Sequence, residues 1–159
     1  MDKLLKLLKQ NALETPANLA KLLDVPEADV KAKIKDYEKS GIILGYQAIV
    51  NEDSLNLKRV SAVIEVKTTP VREGGFDRLA GRIARFPEVE ALYLMSGGYD
   101  LMVMISGNDL REVASFVAEK LATMTGVVST STHFMLRTYK ERGLLMEIKD
   151  EQERLKVSP

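Results

Sequence analysis

The stretch of sequence that decides the fold is FPEVEALYLMSGGYDLMVMI, residues 86–105. It contains two apolar segments, 88–95 and 101–105, with the polar run Ser96-Gly97-Gly98-Tyr99-Asp100 between them. Short apolar runs of this kind are typical of β-strands, and a short connection that contains glycine is typical of a hairpin. We therefore predict two adjacent antiparallel strands here, preceded by a helix that ends at Pro87.

Further elements on both sides of this hairpin complete a βαββαβ order. They follow from alternating apolar residues in some segments and from apolar residues at helical spacing in others. The predicted outer elements are a strand over 60–67, a helix over 76–86, a helix over 109–124 and a strand over 127–139. This order predicts an α+β protein with a ferredoxin-like domain, in which both helices cover one face of one antiparallel sheet.

The N-terminal forty residues predict three short helices. Thr15 and Pro16 are residue types preferred at a helix start, and Gly41 is the type preferred just after a helix end. Residues 42–50 then predict a β segment, kinked at Gly45. Two helices joined by a short break and followed by a β segment are typical of a winged helix-turn-helix, whose second helix would enter the major groove of DNA. A generic three-helix bundle is the alternative.

The third helix has a face that would suit such a groove. Val30, Ile34 and Tyr37 stand at i, i+4 and i+7, so we expect them to face the core. The opposite side then carries small and basic residues, which are candidate DNA contacts. They are Ala28, Lys31, Ala32, Lys35 and Lys39. The solvated face of an isolated bundle would have the same composition.

Charge counts predict that each such module binds DNA weakly. Residues 1–51 contain eight lysines and seven acidic residues, a net charge of +1, and no arginine precedes Arg59. The bidentate contact of arginine with guanine is therefore unavailable to the N-terminal domain. The whole chain has 23 basic and 23 acidic residues and a net charge of zero. We expect DNA binding to need several modules on one oligomer and to be sensitive to salt.

Composition excludes several other classes of protein. The 159 residues include no cysteine and one histidine, His133, so we predict no disulfide framework, no metal site and no cofactor. The sequence also lacks phosphate loops, nucleotide-binding glycine motifs and a local Ser-His-Asp signature, which predicts that the protein is not an enzyme. No apolar run is long enough to span a membrane, and we expect a cytoplasmic protein without a membrane partner.

Taken as a whole, the sequence resembles the Lrp/AsnC (feast/famine) family of transcription regulators, from about residue 2 to residue 146. The segments that carry the resemblance are LAKLL at 19–23, VKAKIKDYEKSGIILGY at 30–46, FPEV at 86–89, SGGYD at 96–100, GVV at 126–128 and ST at 131–132. The resemblance implies a winged helix-turn-helix over 1–44, a hinge strand and linker over 45–57, and a ligand-sensing and oligomerisation domain over 58–146. A charged C-terminal tail at 147–159 completes the expected organisation.

The resemblance also implies partners. Proteins of this family are expected to bind double-stranded DNA, to form homodimers through the sheet and commonly to assemble as octamers of four dimers, with small effectors, often amino acids, between the dimers. Family members often carry a basic pair, frequently arginines, in the middle of the DNA-reading helix. Here those positions are Ala32 and Lys33, which makes Lys33 a further candidate DNA contact and predicts weaker DNA affinity than an arginine pair would give.

The run 96–100 is the candidate effector site. On spacing alone it predicts a turn, since glycine accepts positive φ angles and aspartate is a common turn residue. Its two glycine amides could instead hold a carboxylate, while Asp100 meets an ammonium group and Tyr99 covers the ligand. The resemblance favours this second interpretation, and it adds Ser131 and Thr132 as candidates for the opposite wall of the site.

Two other functions are weighed against a regulator. An oligomeric metabolite sensor or adaptor, whose helix-turn-helix no longer reads DNA specifically, would explain the missing arginines and the acidic residues Glu27 and Asp29. A divergent branch of similar architecture decarboxylates a tetrapyrrole and typically has a histidine near the loop where this sequence reads Gly97-Gly98-Tyr99. We therefore favour a regulator that binds DNA as an oligomer of dimers and is modulated by an amino acid or similar metabolite.

Overall fold

The computed structural model of the chain describes residues 1–55, 59–69 and 75–146. The chain divides into two compact units, Met1–Val50 and Asn51–Pro159. The charged tail predicted at 147–159, the last two residues of the predicted linker and the first residue of the predicted sensing domain lie outside the described residues.

The first unit consists of three helices, α1 (Lys3–Gln10), α2 (Pro16–Leu23) and α3 (Glu27–Lys39). Side chains start two of them: the carboxylate of Asp2 accepts a hydrogen bond from the backbone N–H of Leu4, and the hydroxyl of Thr15 accepts one from Asn18. The predicted N-cap at Thr15 is therefore confirmed. The buried side chains that join the helices are Leu4, Leu8, Leu19, Ala20 and Val30, and partly buried Leu7, Leu23, Ile34, Tyr37 and Ile43 pack against them.

The β segment predicted over 42–50 does not form, and the first unit has no wing strand. The backbone N–H groups of Ile42 and Ile43 both donate to the Tyr37 carbonyl and close the end of α3. Beyond them, apolar side chains are exposed, up to 93% for Leu44. A strand is stable only when a neighbouring strand pairs its backbone, and within one copy of the first unit no such neighbour exists. The residue types suit a strand, but the strand has no partner in the first unit.

The second unit contains the predicted βαββαβ order. Its elements are β1 (Val60–Thr68), α4 (Asp77–Ile83), β2 (Val89–Leu94), β3 (Leu101–Gly107), α5 (Leu110–Ser115, continued by a π-helical turn over Phe116–Leu121) and β4 (Val127–Phe134). A 3₁₀ turn over Glu52–Leu55 comes before β1. The strands lie in the order β2-β3-β1-β4, and every neighbouring pair is antiparallel. The predicted α+β, ferredoxin-like fold is confirmed.

The two faces of this sheet differ. Alternate residues of β1 and β3, such as Ile64 and Val103, are fully buried under the helices, where Phe86 and Phe116 meet edge to face at 5.5 Å. Burying one such aliphatic side chain contributes about 1.5–3 kcal/mol. No helix among the described residues covers the other side, which we call the open face. Its residues include Val63 and Glu65 of β1, Tyr93 of β2, Met102 and Met104 of β3, and Ser131 and His133 of β4.

The last strand is shorter than predicted. It ends at Phe134, opposite Ala62, and the N–H of Met135 makes one further hydrogen bond to the carbonyl of Ser61. Because β1 begins at Val60, the chain beyond this point has no strand to pair with, and the expected continuation to Tyr139 is wrong. The chain instead forms a two-stranded ribbon, β5 (Lys140–Glu141) with β6 (Leu144–Leu145). Among the described residues, every helix is too short or too polar to cross a membrane.

Candidate DNA-reading helix and effector loop

Helix α3 presents two contrasting sides. Val30 is buried, and Ile34 and Tyr37 are partly buried against the rest of the first unit. Because the helical repeat is 3.6 residues, side chains two or five positions away from Val30 point to the opposite side of α3, whereas those three or four positions away share its side. All five candidates from the exposed face are indeed exposed: Ala28, Lys31, Ala32, Lys35 and Lys39. The structure thus brings together on one surface the lysines and alanines that the periodicity selected.

Three of these lysines form a row. Lys31, Lys35 and Lys39 follow one another at intervals of four residues, so each lies one turn beyond the last on the same edge of α3. The ammonium group of Lys31 lies 2.6 Å from a carboxylate oxygen of Glu27. Within the part of the chain that the structure describes, Lys35 and Lys39 form no ion pair.

Lys33 lies apart from this row. Its ammonium group is 2.8 Å from Oδ2 of Asp2, while Oδ1 of the same carboxylate caps α1. Hydrogen bonds from Lys33 and from the backbone of Leu4 lower the pKa of Asp2, and the bond to Asp2 raises the pKa of Lys33. Local sequence patterns do not predict this contact, because its partners are 31 residues apart. Among the predicted DNA contacts, Lys33 is the one that joins α1 to α3.

The loop at 96–100 connects β2 to β3 at one end of the sheet. The N–H of Met95 donates to the carbonyl of Asp100 at 2.8 Å and closes the loop. Gly97 has φ of +136°, a conformation that only glycine adopts easily. The φ angle of Gly98 is not positive. Among the described residues, the amide groups of Gly97 and Gly98 have no hydrogen-bond acceptor. Both are therefore available to an anionic group in solution.

Asp100 is already engaged inside the protein. Its Oδ2 accepts hydrogen bonds from the backbone N–H of Thr68 at 2.7 Å and from the Thr68 hydroxyl at 3.1 Å. Its own N–H donates to the carbonyl of Val66 at 3.0 Å. One carboxylate oxygen is thus fully used by the end of β1. The expected contact of Asp100 with an ammonium group stays a prediction, and it would have to be made by the other oxygen.

The structure places Tyr99 and Ser131 on one face of the sheet and Thr132 on the other. The hydroxyl of Tyr99 lies 3.9 Å from the sulfur of Met102, on the open face. Ser131 pairs with Glu65 and so lies on the open face too, whereas Thr132 pairs with Ile64 on the helix-covered face. Because successive residues of a strand point to opposite faces, Ser131 and Thr132 point away from each other. Their contact with an effector stays a prediction.

The structure also contains a polar cluster on the open face that was not predicted from the sequence. On the open face, the ring of His133 lies 3.5 Å from a carboxylate oxygen of Glu65 and 3.3 Å from the hydroxyl of Ser131. Both distances involve the same nitrogen, Nε2, so the three groups do not form the relay of a catalytic triad. Among the described residues there is no group of three or more acidic or histidine side chains that could hold a metal ion.

A shallow cleft of about 320 Å³ lies in the first unit. Leu4, Leu23, Val25 and Val30 supply its apolar lining, and the paired Asp2 and Lys33 belong to its polar lining. It includes none of the predicted effector residues. The cleft is therefore a feature of the helical unit and not the expected effector site.

The chain is similar in sequence to proteins of a known family. The family model of the Lrp/AsnC ligand binding domain matches residues 61–145. An uncharacterized HTH-type transcriptional regulator of Bacillus subtilis (strain 168), YugG, is 44% identical over 157 residues, which cover 98% of this chain and 95% of that protein.

Solved structures show the same fold. A Neisseria meningitidis transcriptional regulator in complex with L-Met superposes with a TM-score of 0.69 at 23% identity, covering 89% of this chain and 93% of that one. The leucine response regulatory protein of Mycobacterium tuberculosis superposes with a TM-score of 0.73 at 20% identity, covering 91% of this chain and 98% of that one. At this level of identity the likeness is one of fold.

Proposed function

The chain belongs to the Lrp/AsnC family, and from this premise we propose that it is a transcriptional regulator that binds double-stranded DNA and responds to a small metabolite. Its relatives are named as regulators and not as enzymes, and we assign it no catalytic reaction. The observation that carries the proposal is the surface of α3, where lysines and alanines lie exposed opposite a buried Val30. We propose the cytoplasm as its place of action.

The DNA-binding part of the proposal follows from the shape and charge of α3. Small side chains at Ala28 and Ala32 let the helix approach the floor of a groove, and lysines at its edge approach phosphates. Because α3 carries lysine and no arginine, it can attract phosphates by charge but cannot make the bidentate contacts by which arginine recognises guanine. We therefore propose modest affinity and modest sequence preference for each copy, with strong sensitivity to salt.

Several copies would make up for this weakness. The open face carries apolar residues such as Val63 and Met102 without a helix over them, and Leu44 and Tyr46 are exposed in the segment that lacks a strand partner. A second copy of the chain could bury both surfaces, so we propose a homodimer, and an octamer of four dimers as the assembled form. Avidity of linked modules adds about 10²–10⁴ in effective affinity when the geometry permits.

The effector part of the proposal concerns the loop at 96–100. The free amides of Gly97 and Gly98 suit a carboxylate, which every amino acid carries. We propose that binding of an amino acid or a similar metabolite at this loop changes the geometry between dimers. Such a change would alter the spacing of the α3 helices on successive half-sites, and so the affinity for DNA.

One experiment tests both parts. Fluorescence anisotropy at low salt would compare the DNA upstream of the protein's own gene with a scrambled duplex of equal length, with and without each common L-amino acid. We expect tighter binding to the upstream DNA, lost steeply as salt rises, and a change in affinity or assembly with one class of amino acid. Equal, effector-independent binding to both duplexes would contradict the proposal.

A second candidate function is supported by the ion pairs of the first unit. Glu27 and Asp2 neutralise two lysines of α3, and no arginine precedes Arg59. An oligomeric sensor or adaptor that no longer reads DNA would have these features. Arginine at positions 32 and 33, as in Ala32→Arg with Lys33→Arg, separates the two functions. A large gain in DNA affinity indicates that the helix-turn-helix can bind DNA but has too little positive charge. No gain favours the adaptor function.

A further inference from the structure

The lysine row on α3 is unfavourable for the isolated helix. Lys31, Lys35 and Lys39 place like charges at intervals of four residues, an arrangement that destabilises a helix. The row extends over about 12 Å at a rise of about 1.5 Å per residue. Successive phosphates of one strand advance by about 3.4 Å along the duplex axis, so a row of this length faces on the order of three phosphates.

Glu27 occupies the first position of the same row. It is the first residue of α3 and lies four residues before Lys31, so its carboxylate stands one turn before the first ammonium group. The two groups are 2.6 Å apart, and both side chains are about half exposed. A carboxylate and a phosphate oxygen are acceptors of the same kind for an ammonium group, and the negative charge of Glu27 offsets the charge of Lys31 and repels a phosphate that approaches it.

We propose that Glu27 is an internal competitor for Lys31, and that DNA binding exchanges the Glu27 carboxylate for a backbone phosphate. This inference rests on the proposed DNA-binding function and refines it. It divides the lysines of α3 into a phosphate-contacting row, Lys31, Lys35 and Lys39, and the separate Lys33, whose ion pair with Asp2 fastens α1 to α3. Glu27 therefore sets how much of the row is available to DNA.

The Asp2–Lys33 pair provides a matched control. Asp2→Asn removes one negative charge from the same unit and frees a lysine of the same helix, as Glu27→Gln does. Asparagine also keeps the cap of α1, because its side-chain oxygen accepts the Leu4 N–H as aspartate does. A general effect of net charge would make the two variants alike, whereas the proposal makes them differ.

The test measures affinity for a short duplex of scrambled sequence over a range of salt, using the full chain. We expect Glu27→Gln to bind about threefold to fivefold more tightly than wild type, since an exposed ion pair contributes little more than this. The salt dependence should steepen by about 0.9 in log–log slope, as one more phosphate contact requires. Asp2→Asn should leave the slope unchanged, and adding Lys31→Gln to Glu27→Gln should remove the gain. Circular dichroism checks that each variant keeps its helices.

Equal gains for Glu27→Gln and Asp2→Asn would overturn the inference, as would a gain that survives Lys31→Gln. An unchanged affinity of Glu27→Gln, with wild type binding measurably, would also overturn it while leaving the proposed DNA binding in place. If neither wild type nor Glu27→Gln binds any duplex at low salt, the proposed function itself fails.

Discussion

Asp100 fastens the loop at 96–100 to the end of strand β1 through Thr68. Its Oδ2 accepts one hydrogen bond from the Thr68 backbone at 2.7 Å and a second from the Thr68 hydroxyl at 3.1 Å. Thr68 is only 9% exposed, so water does not easily replace a lost partner. The aspartate that follows the two glycines is therefore a structural residue of the sheet end, whatever else it contacts.

Replacing Asp100 should cost stability. Asp100→Ala leaves the Thr68 N–H without an acceptor, and an unsatisfied buried donor costs about 1–3 kcal/mol. Asp100→Asn keeps one acceptor oxygen and should cost less. Urea unfolding of the two variants measures the difference, and in a Thr68→Val background the cost of Asp100→Ala should shrink because one of the two donors is gone. Identical unfolding of Asp100→Ala and wild type would contradict this assignment.

Neighbouring glycines of the loop should respond differently to alanine. Gly97 has φ of +136°, and a Cβ there is strained although no atom lies within 4 Å of it. Gly98 has the same open space without the positive φ. We expect Gly97→Ala to lower the free energy of unfolding by about 1–3 kcal/mol and Gly98→Ala to change it little. Thermal unfolding of the pair decides, and equal losses would show that the backbone of Gly97 is not the cause.

The ion pair between Asp2 and Lys33 should make the stability of the first unit depend on pH. Lys33 and the N–H of Leu4 lower the pKa of Asp2 below 3.8 in the folded state, so this contribution is present above the unfolded pKa and is lost as the pH falls through the folded pKa. The pKa of Lys33 is raised above 10.5, so its contribution is lost only as the pH rises through that higher value.

Titration of the Asp2 carboxyl carbon by NMR checks this assignment. We expect Lys33→Gln to raise the pKa of Asp2 toward its ordinary value, because the hydrogen bond from the Lys33 ammonium group is removed. Lys9→Gln, which removes the same charge from α1, should leave that pKa where it is in wild type. An Asp2 pKa that is equal in wild type and in Lys33→Gln would refute the ion pair between Asp2 and Lys33.

The open face should mediate the proposed dimer. Val63 lies at its centre, between Met104 and His133 on the neighbouring strands. Val63→Glu puts a charge there and should shift the protein toward monomers, because burying an unpaired carboxylate is costly. Arg111→Glu, on the exposed surface of α5, is the control with a larger change of charge. Light scattering measures the mass, and a dimer that persists in Val63→Glu would exclude this face.

Much of the fold was readable from the sequence because it follows from local periodicity. The alternation in 60–67 and the helical spacing of Val30, Ile34 and Tyr37 each reflect the geometry of a single element. The same argument failed at 42–50 and beyond Phe134. There the residues suit a strand, but the strand needs a neighbour, and only the arrangement of the whole chain decides whether one is present.

The candidate sites divide in the same way. The exposed lysines of α3 could be predicted, since residues four apart share one edge of a helix. That Lys33 pairs with Asp2 and that Asp100 holds Thr68 could not. These contacts depend on the packing of helices and on the register between strands, which join residues 31 and 32 positions apart.

By itself, then, the sequence determined the order of helices and strands, the basic edge of α3 and the glycine loop between β2 and β3, because each of these is encoded by residues close together in the chain. Only the tertiary structure decided which charged groups are free and which are paired. Hydrogen bonds and ion pairs act over about 3 Å, and it is folding that brings distant residues to that distance.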